Sequence, residues 1–598
     1  MKKLISLLIL TLLWTSTFSQ SQTSERAKWF TDARYGMFIH WGLYSAAEGY
    51  WKGEKIRNDN DYAEWIFYRN SISKEEYVTL LDRFDWDKIN PEEWVILAKK
   101  AGMKYVTFTA KHHDGFALWD SQASKYDLGD FTNHKRDIVK ELAEACKKHG
   151  LKLGLYYSHW VDWEHEFGWD HKKELTGITP EQYNKYWQEK VIPQMRELLT
   201  NYGEISMIWF DMWIHHSQTV VTKEQLFQLK KLIRELQPNC LINSRLGLSI
   251  DEDPDVDFKE LGDNSLGDKK EDFPWQSPAT VAHSWGFHAT DSEWKSTTTL
   301  LKALINNVSL NGNLLLNIGP RANGDVPFEI SQRLHEMGSW LEKNGESVYS
   351  AGAFDLPKNQ HDWGKITCKK VGEKTTLYYH VFNWPLNKKL FVTGISSKPG
   401  KIWLLSDKEK NPLKFTHKGA YTEIELPDEK PDPFVSVIAA EYDLIPEISE
   451  GLVAKTKSGG YSFLPGNQIT PAHSQFIIKK EMYGTIPENL LIEKPETFTW
   501  KIFVDTPGKK HFDISFSYQN ESSNAAEIIL QAAGSEISTL AKPTGKTVGE
   551  PNENWVIDNF ASQRIGEINF NEAGFYEIKM QIIPSANNIL KFQWIWAE

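Results

Sequence analysis

From about Ser24 to Ser350 short apolar runs alternate with amphipathic helical patterns, and this alternation limits the chain to a fold built on parallel strands. The runs are Tyr35-Gly-Met-Phe-Ile-His-Trp-Gly42, Tyr105 to Ala110, Leu151 to Tyr157, Ile205 to Asp211, Leu241 to Asn243 and Leu314 to Ile318. Between them, Ile138, Leu142 and Ala145 recur at helical spacing with Gly150 as a stop, and Phe328 to Leu341 repeats that period. The strands are apolar almost throughout, as strands covered on both faces are. No glycine-rich phosphate turn follows the first strand, and the region is longer than the ~250 residues a (β/α)₈ barrel typically takes, so the pattern predicts an α/β fold with a (β/α)₈-like, TIM-type barrel over residues 24–350.

Beyond Tyr349 the pattern changes to β-rich alternation, as in Leu377 to Trp384 and Lys401 to Leu405, predicting a β-sandwich domain over 351–445. Pro446 to Gly451 reads as a linker, and a second β-sandwich is expected over 451–598. There Phe512, Ile514, Phe516 and Tyr518 alternate, as do Tyr576, Ile578, Met580 and Ile582. Trp594 and Trp596 share one face of a last strand and are expected in the core, although a carbohydrate-binding role for this domain stays open.

A net charge of −12 without a basic run argues against a nucleic-acid partner. The opening Lys2-Lys3, the apolar run Leu4 to Trp14 and small residues up to Ser19 read as a signal peptide over 1–19, which predicts export to the periplasm or the extracellular space. No later stretch has the roughly 20 apolar residues of a membrane span. Cys146, Cys240 and Cys368 are too few and too far apart for a disulfide scaffold. The 25 Trp suit either sugar-binding faces or well-filled barrel and sandwich cores.

In such a barrel chemistry sits at the C-terminal ends of the strands. There this sequence places His40 and Trp41, His112-His113-Asp114, Tyr156 and Tyr157, Asp211, and Arg245. Asp211 ends the apolar run Ile208-Trp-Phe-Asp-Met212, and a carboxylate delivered by a buried strand builds a site more often than it packs a core. His112-His113-Asp114 could ligate a metal, but adjacent residues on a strand point to opposite faces, so no metal or other cofactor is expected. One buried carboxylate, neutral hydrogen-bond donors, an arginine and aromatic rings suit acid/base chemistry on a polyhydroxylated ligand.

Six segments in order sharpen this. Trp29 to Gly42, Ala63-Glu-Trp65, Thr109-Ala-Lys-His-His-Asp-Gly-Phe116, Leu155-Tyr-Tyr-Ser158, Trp209-Phe-Asp-Met212 and Asn311 to Pro320 together resemble the α-L-fucosidases of glycoside hydrolase family 29. The resemblance runs from Trp29 to Tyr349 and continues weakly through His380 to Trp384. It implies a retaining exo-fucosidase that needs no metal and acts on fucosylated oligosaccharides or polysaccharides. Asp211 is then the nucleophile. His40, His112 and His113 bind fucose hydroxyls, Glu64 and Trp65 enclose the sugar, Tyr156 and Trp209 are site residues, and Arg245 follows the next strand.

The acid/base departs from the family pattern. In the loop Asp255-Val-Asp-Phe-Lys-Glu-Leu-Gly-Asp-Asn264, alignment from Phe258 puts Gly262 at the family position, which makes the adjacent Asp263 the first choice and Glu260 the alternative. Asp291 or Glu293 lie further on, and Trp275-Gln276 offers no carboxylate where relatives carry one. The competing expectation is a secreted carbohydrate-binding protein whose barrel has lost catalysis.

Overall fold

The computed structural model describes residues 25–598 apart from 58–60, 133–135, 173–176, 355, 357–360, 450–451, 457, 470–472, 474–475, 482–483, 519–524, 546–559 and 586–587. The leader expected at 1–19 lies outside the described residues.

Eight strands form one parallel sheet: β1 (Tyr35–Ile39), β2 (Tyr105–Lys111), β3 (Lys152–Tyr157), β4 (Met207–Phe210), β5 (Leu241–Ile242), β6 (Lys259–Glu260), β7 (Trp275–Thr280) and β8 (Asn313–Ile318). Neighbours run β5-β4-β3-β2-β1-β8-β7-β6, every pair parallel. The two end strands meet through a parallel bridge between Asn243 and Phe258. Ser244 N–H donates to Phe258 O and Asp257 N–H to Ile242 O, both at 2.9 Å, so the sheet closes into a barrel. Its interior is packed with Phe38, Tyr105, Tyr156, Met207, Trp209, Leu241, Phe258 and Leu315, joined by Phe30 from the helix Lys28–Ala33.

The helices between strands carry their own start and stop chemistry. α1 (Pro91–Lys100) begins with Asn90 accepting from Glu92 N–H and Pro91 in its first turn, with Glu92 and Glu93 near the positive end of its dipole. α2 (Ile138–His149) is capped by Asp137 and stops where Gly150 adopts φ 73°, the left-handed conformation its sequence position suggested. α3 (Ile192–Asn201) precedes β4, and α4 (Lys223–Leu236) opens with a reciprocal Thr222/Gln225 capping box. α5 (Thr297–Ser309) and α6 (Phe328–Asn344) flank β8.

The sequence pattern misses β6 and β7. β6 is two residues long, and β7 reads Trp-Gln-Ser-Pro-Ala-Thr, polar and interrupted by Pro278. Among the described residues no α-helix lies between β5 and β7. Charge takes its place at this seam. Arg26 and Arg234 each contact both Asp255 and Asp257, and Asp257 also accepts Ile242 N–H at 2.9 Å.

Two β-sandwich units follow the barrel. The first pairs a five-stranded antiparallel sheet, which includes Lys374–Val381 and Ser436–Tyr442, with the three strands Lys389–Thr393, Tyr421–Glu425 and Phe415–Lys418. It abuts the barrel's helical layer, where Trp340 of α6 donates to Val435 O at 2.7 Å. The second sandwich has its own core, with Phe512, Ile514, Phe516, Tyr518, Ile578, Met580 and Ile582 buried as their alternation requires.

Trp594 and Trp596 do not join that core. In the strand Leu590–Ala597, Phe516 pairs with Phe592 but Ser515 with Trp594, and the residue skipped at this bulge reverses which face points inward. Phe592, Ile595 and Ala597 are therefore buried while the two tryptophans are half-buried on the other face. The three cysteines form no disulfide. Among the described residues no helix is long and apolar enough to cross a membrane.

Candidate active site

The strand ends converge on a cavity of about 360 Å³. His40 stands immediately after β1, His112 and His113 after β2, Tyr156 at the end of β3, Asp211 one residue past β4, Arg245 in a turn after β5, and Asp263 in the loop after β6. All of these line the cavity, together with Glu64, Trp65 and Trp209. The parallel register explains the convergence, since Tyr156 pairs with Trp209 across β3 and β4 and their rings stack 5.4 Å apart.

Both adjacent histidines face the cavity, contrary to the opposite-face expectation. β2 ends at Lys111, so neither residue follows the strand pleat, and their ring centroids lie 4.4 Å apart.

Asp211 is held from three directions. Arg245 Nη1 donates to Oδ1 at 2.7 Å, the Tyr156 hydroxyl donates to Oδ2 at 2.8 Å, and His113 Nε2 lies 3.4 Å from Oδ2. Burial alone would push this carboxyl up, but His113 and the Arg245 guanidinium outweigh it and hold Asp211 well below the usual carboxylate range. Arg245 also donates through Nη2 to Asp263 Oδ1 at 2.6 Å and to Leu261 O at 2.8 Å, so one guanidinium spans two carboxylates. Asp263 is 45% exposed at the mouth, whereas Asp211 is 14% exposed.

Two of the histidines around them, His40 and His112, are neutral hydrogen-bonding groups. Burial lowers His40 to about 4, only partly offset by its 2.7 Å contact with Asn317 Oδ1. Asn317 donates its amide to Trp285 O, so its oxygen receives His40 Nδ1–H and leaves Nε2 as an acceptor. Burial drives His112 well below its ordinary value, and its buried Nδ1 has no protein partner. His113 Nδ1 lies 2.7 Å from Ser158 Oγ, whose own proton goes to Val161 O. Burial raises Glu64 to about 7 although Gly286 N–H donates to it at 2.9 Å.

The alternative acid/base residues lie elsewhere. Glu260 sits beneath Trp209, accepting its indole N–H at 3.0 Å, and does not line the cavity. Burial pushes its carboxyl well up. Asp291 is occupied by the backbone N–H groups of His283, Ser284 and Glu293. Asp114 and Tyr157, also at strand ends, bond to Tyr77 and Gln194 outside the cavity.

The comparisons decide the family. A profile described as alpha-L-fucosidase matches residues 12–346, more than half of the chain. The chain belongs to the α-L-fucosidase family, and is thus a glycoside hydrolase. It is 30% identical over 354 residues to the alpha-L-fucosidase of Dictyostelium discoideum, covering 56% of this chain and 74% of that one. The alpha-L-fucosidase structure from Vibrio sp. strain EJY3 aligns over 96% of this chain and 98% of its own, with TM-score 0.72 and 26% identity. An alpha-L-fucosidase from Bacteroides thetaiotaomicron, solved as a trapped covalent intermediate with 2-fluoro-fucosyl fluoride, aligns over 71% and 97% with TM-score 0.62 and 26% identity.

Five further residues of this fucosidase-family cavity escape the sequence reading: Phe38, Tyr62, Arg69, Trp213 and Trp285. Phe38 could have been found, being two residues before His40 and so on the same inward face. Tyr62 and Arg69 flank the Glu64 segment. Trp285 follows the unrecognised β7 and had no strand end to mark it.

Proposed function

We propose that the cavity hydrolyses terminal α-L-fucose from glycans or fucose-containing polysaccharides by double displacement with retention of configuration. Asp211 carries the reading: an ionised carboxylate at the barrel's mouth, fixed by Arg245, Tyr156 and His113. In the first step it attacks the anomeric carbon while Asp263 gives its proton to the departing oxygen. In the second, water gives a proton to Asp263 and its oxygen to the anomeric carbon, and Asp211 is released.

Arg245 supports this division of labour. Its guanidinium contacts Asp211 Oδ1 at 2.7 Å and Asp263 Oδ1 at 2.6 Å, so both carboxyl groups are positioned by one side chain. One guanidinium keeps the two carboxyl groups at the same mouth, as a glycosidase acting by double displacement requires of its pair. His40 and His112 supply neutral partners for sugar hydroxyls, and Phe38, Trp209 and Trp285 form an apolar wall for the C5 methyl side. The covalent intermediate of the Bacteroides relative supports the same chemistry. The leader expected at 1–19 supports an exported enzyme.

Asp211→Gly tests the assignment on an aryl α-L-fucoside. Turnover should fall by at least about 10⁴-fold, and azide should restore it with a fucosyl azide of inverted configuration as product. Undiminished hydrolysis by the variant would remove Asp211 from the nucleophile's role.

A further inference from the structure

The loop after Asp211 and the loop after Arg245 meet outside the cavity at three side chains that fucoside hydrolysis does not use. His215 Nε2 lies 2.9 Å from Glu252 Oε1, and His216 Nε2 lies 3.6 Å from the same oxygen. All three ligand atoms fall within 4.8 Å of one another, and among the described residues this is the one group of its kind. Around a tetrahedral Zn²⁺ with bonds of about 2.0–2.1 Å, neighbouring donor atoms are roughly 3.3 Å apart, so the group stands close to ligand spacing before any ion arrives.

The surroundings orient the three groups. The second oxygen of Glu252 accepts Ser249 N–H at 2.9 Å, which turns Oε1 towards the imidazoles. His215 Nδ1 lies 2.7 Å from Ser217 Oγ, a hydroxyl oxygen that can accept its N–H and leave Nε2 as the lone-pair nitrogen facing Glu252, the manner in which an outer contact fixes a ligating histidine. His216 Nε2 is buried, and its nearest carboxylate oxygen at 3.6 Å is beyond hydrogen-bond range, so it has no partner. A buried imidazole nitrogen aimed at a carboxylate it cannot reach leaves a position for something between them.

We propose that His215, His216 and Glu252 bind one first-row divalent cation, with Zn²⁺ the best match to two imidazoles and one carboxylate and water completing the shell. The ion takes no part in bond making. It cross-links the two loops, which Met212 N–H to Arg245 O also joins at 2.8 Å, and steadies Trp213, the 40% exposed cavity residue two positions before His215.

The test reads metal binding, and so stands apart from the hydrolytic mechanism. Full-length protein is stripped with a chelator and titrated with Zn²⁺ by calorimetry, and with Co²⁺ by visible absorption. We expect one ion per chain with Kd of about 1 μM or tighter, and Co²⁺ bands typical of tetrahedral coordination. His215→Ala, His216→Ala and Glu252→Gln, each checked for an unchanged circular dichroism spectrum, should weaken binding by at least the roughly 10–100-fold that changes around a metal site cost. The proposal is overturned if stripped protein binds no Zn²⁺ below about 100 μM, or if the three variants bind as the parent does.

Discussion

Glu64→Gln should make the barrel more stable at alkaline pH, and the structure sets both the size and the pH window. Glu64 is 2% exposed, and its carboxylate accepts Gly286 N–H in partial exchange for its water. Burial therefore raises its carboxyl from the ordinary 4.5 to about 7. Between those two values the folded protein keeps a proton that the unfolded chain has released. Stability must then fall as pH rises through the window and level off above it. At about 1.4 kcal/mol per pH unit, a window of this width amounts to about 3 kcal/mol. Glutamine keeps an oxygen for Gly286 N–H and cannot ionise. The variant should match the parent below about pH 4.5 and exceed it by up to about 3 kcal/mol at pH 8. Urea unfolding followed by tryptophan fluorescence at pH 4.5, 6 and 8 measures the difference. Parallel pH dependences for the two proteins, or a variant less stable at pH 8, would refute a neutral buried Glu64.

Three further substitutions separate the site from its support. Asp263→Asn should slow hydrolysis of natural fucosides by about 10²–10³-fold but that of an activated aryl fucoside by less than about 10-fold, since a good leaving group needs little proton donation; Glu260→Gln, beneath Trp209, should leave that ratio unchanged. Gly36→Ala would place a methyl 2.2 Å from the Tyr105 ring inside the barrel, and chemical denaturation should show a loss of about 1–3 kcal/mol.

The legible strands were those whose burial wrote itself into composition. β1 to β5 and β8 are apolar runs, and β1 to β5 each end at or just before a cavity residue. β6 and β7 were invisible because their pairing depends on neighbours already in place, with Lys259–Glu260 and Gln276 contributing little apolar character. Trp285 was lost with them. Adjacent histidines after β2 were misread for a smaller reason, the strand stopping one residue before them. Trp594 and Trp596 show that alternation fixes a face only while the ladder keeps its phase; one bulge moved both rings out of the core.

The β5–β6 side of the barrel is held by a bridge, a few backbone hydrogen bonds and a cluster of two arginines and two aspartates, whereas each connection outside the β5 to β7 stretch carries an α-helix. Arg245 and Asp263 both emerge from it. Insertions between Ile242 and Trp275 displace no packed helix, so this wall can lengthen or change shape while β1 to β4 keep Asp211 and its histidines in register. Diversification of the accepted leaving group has its least obstructed route there.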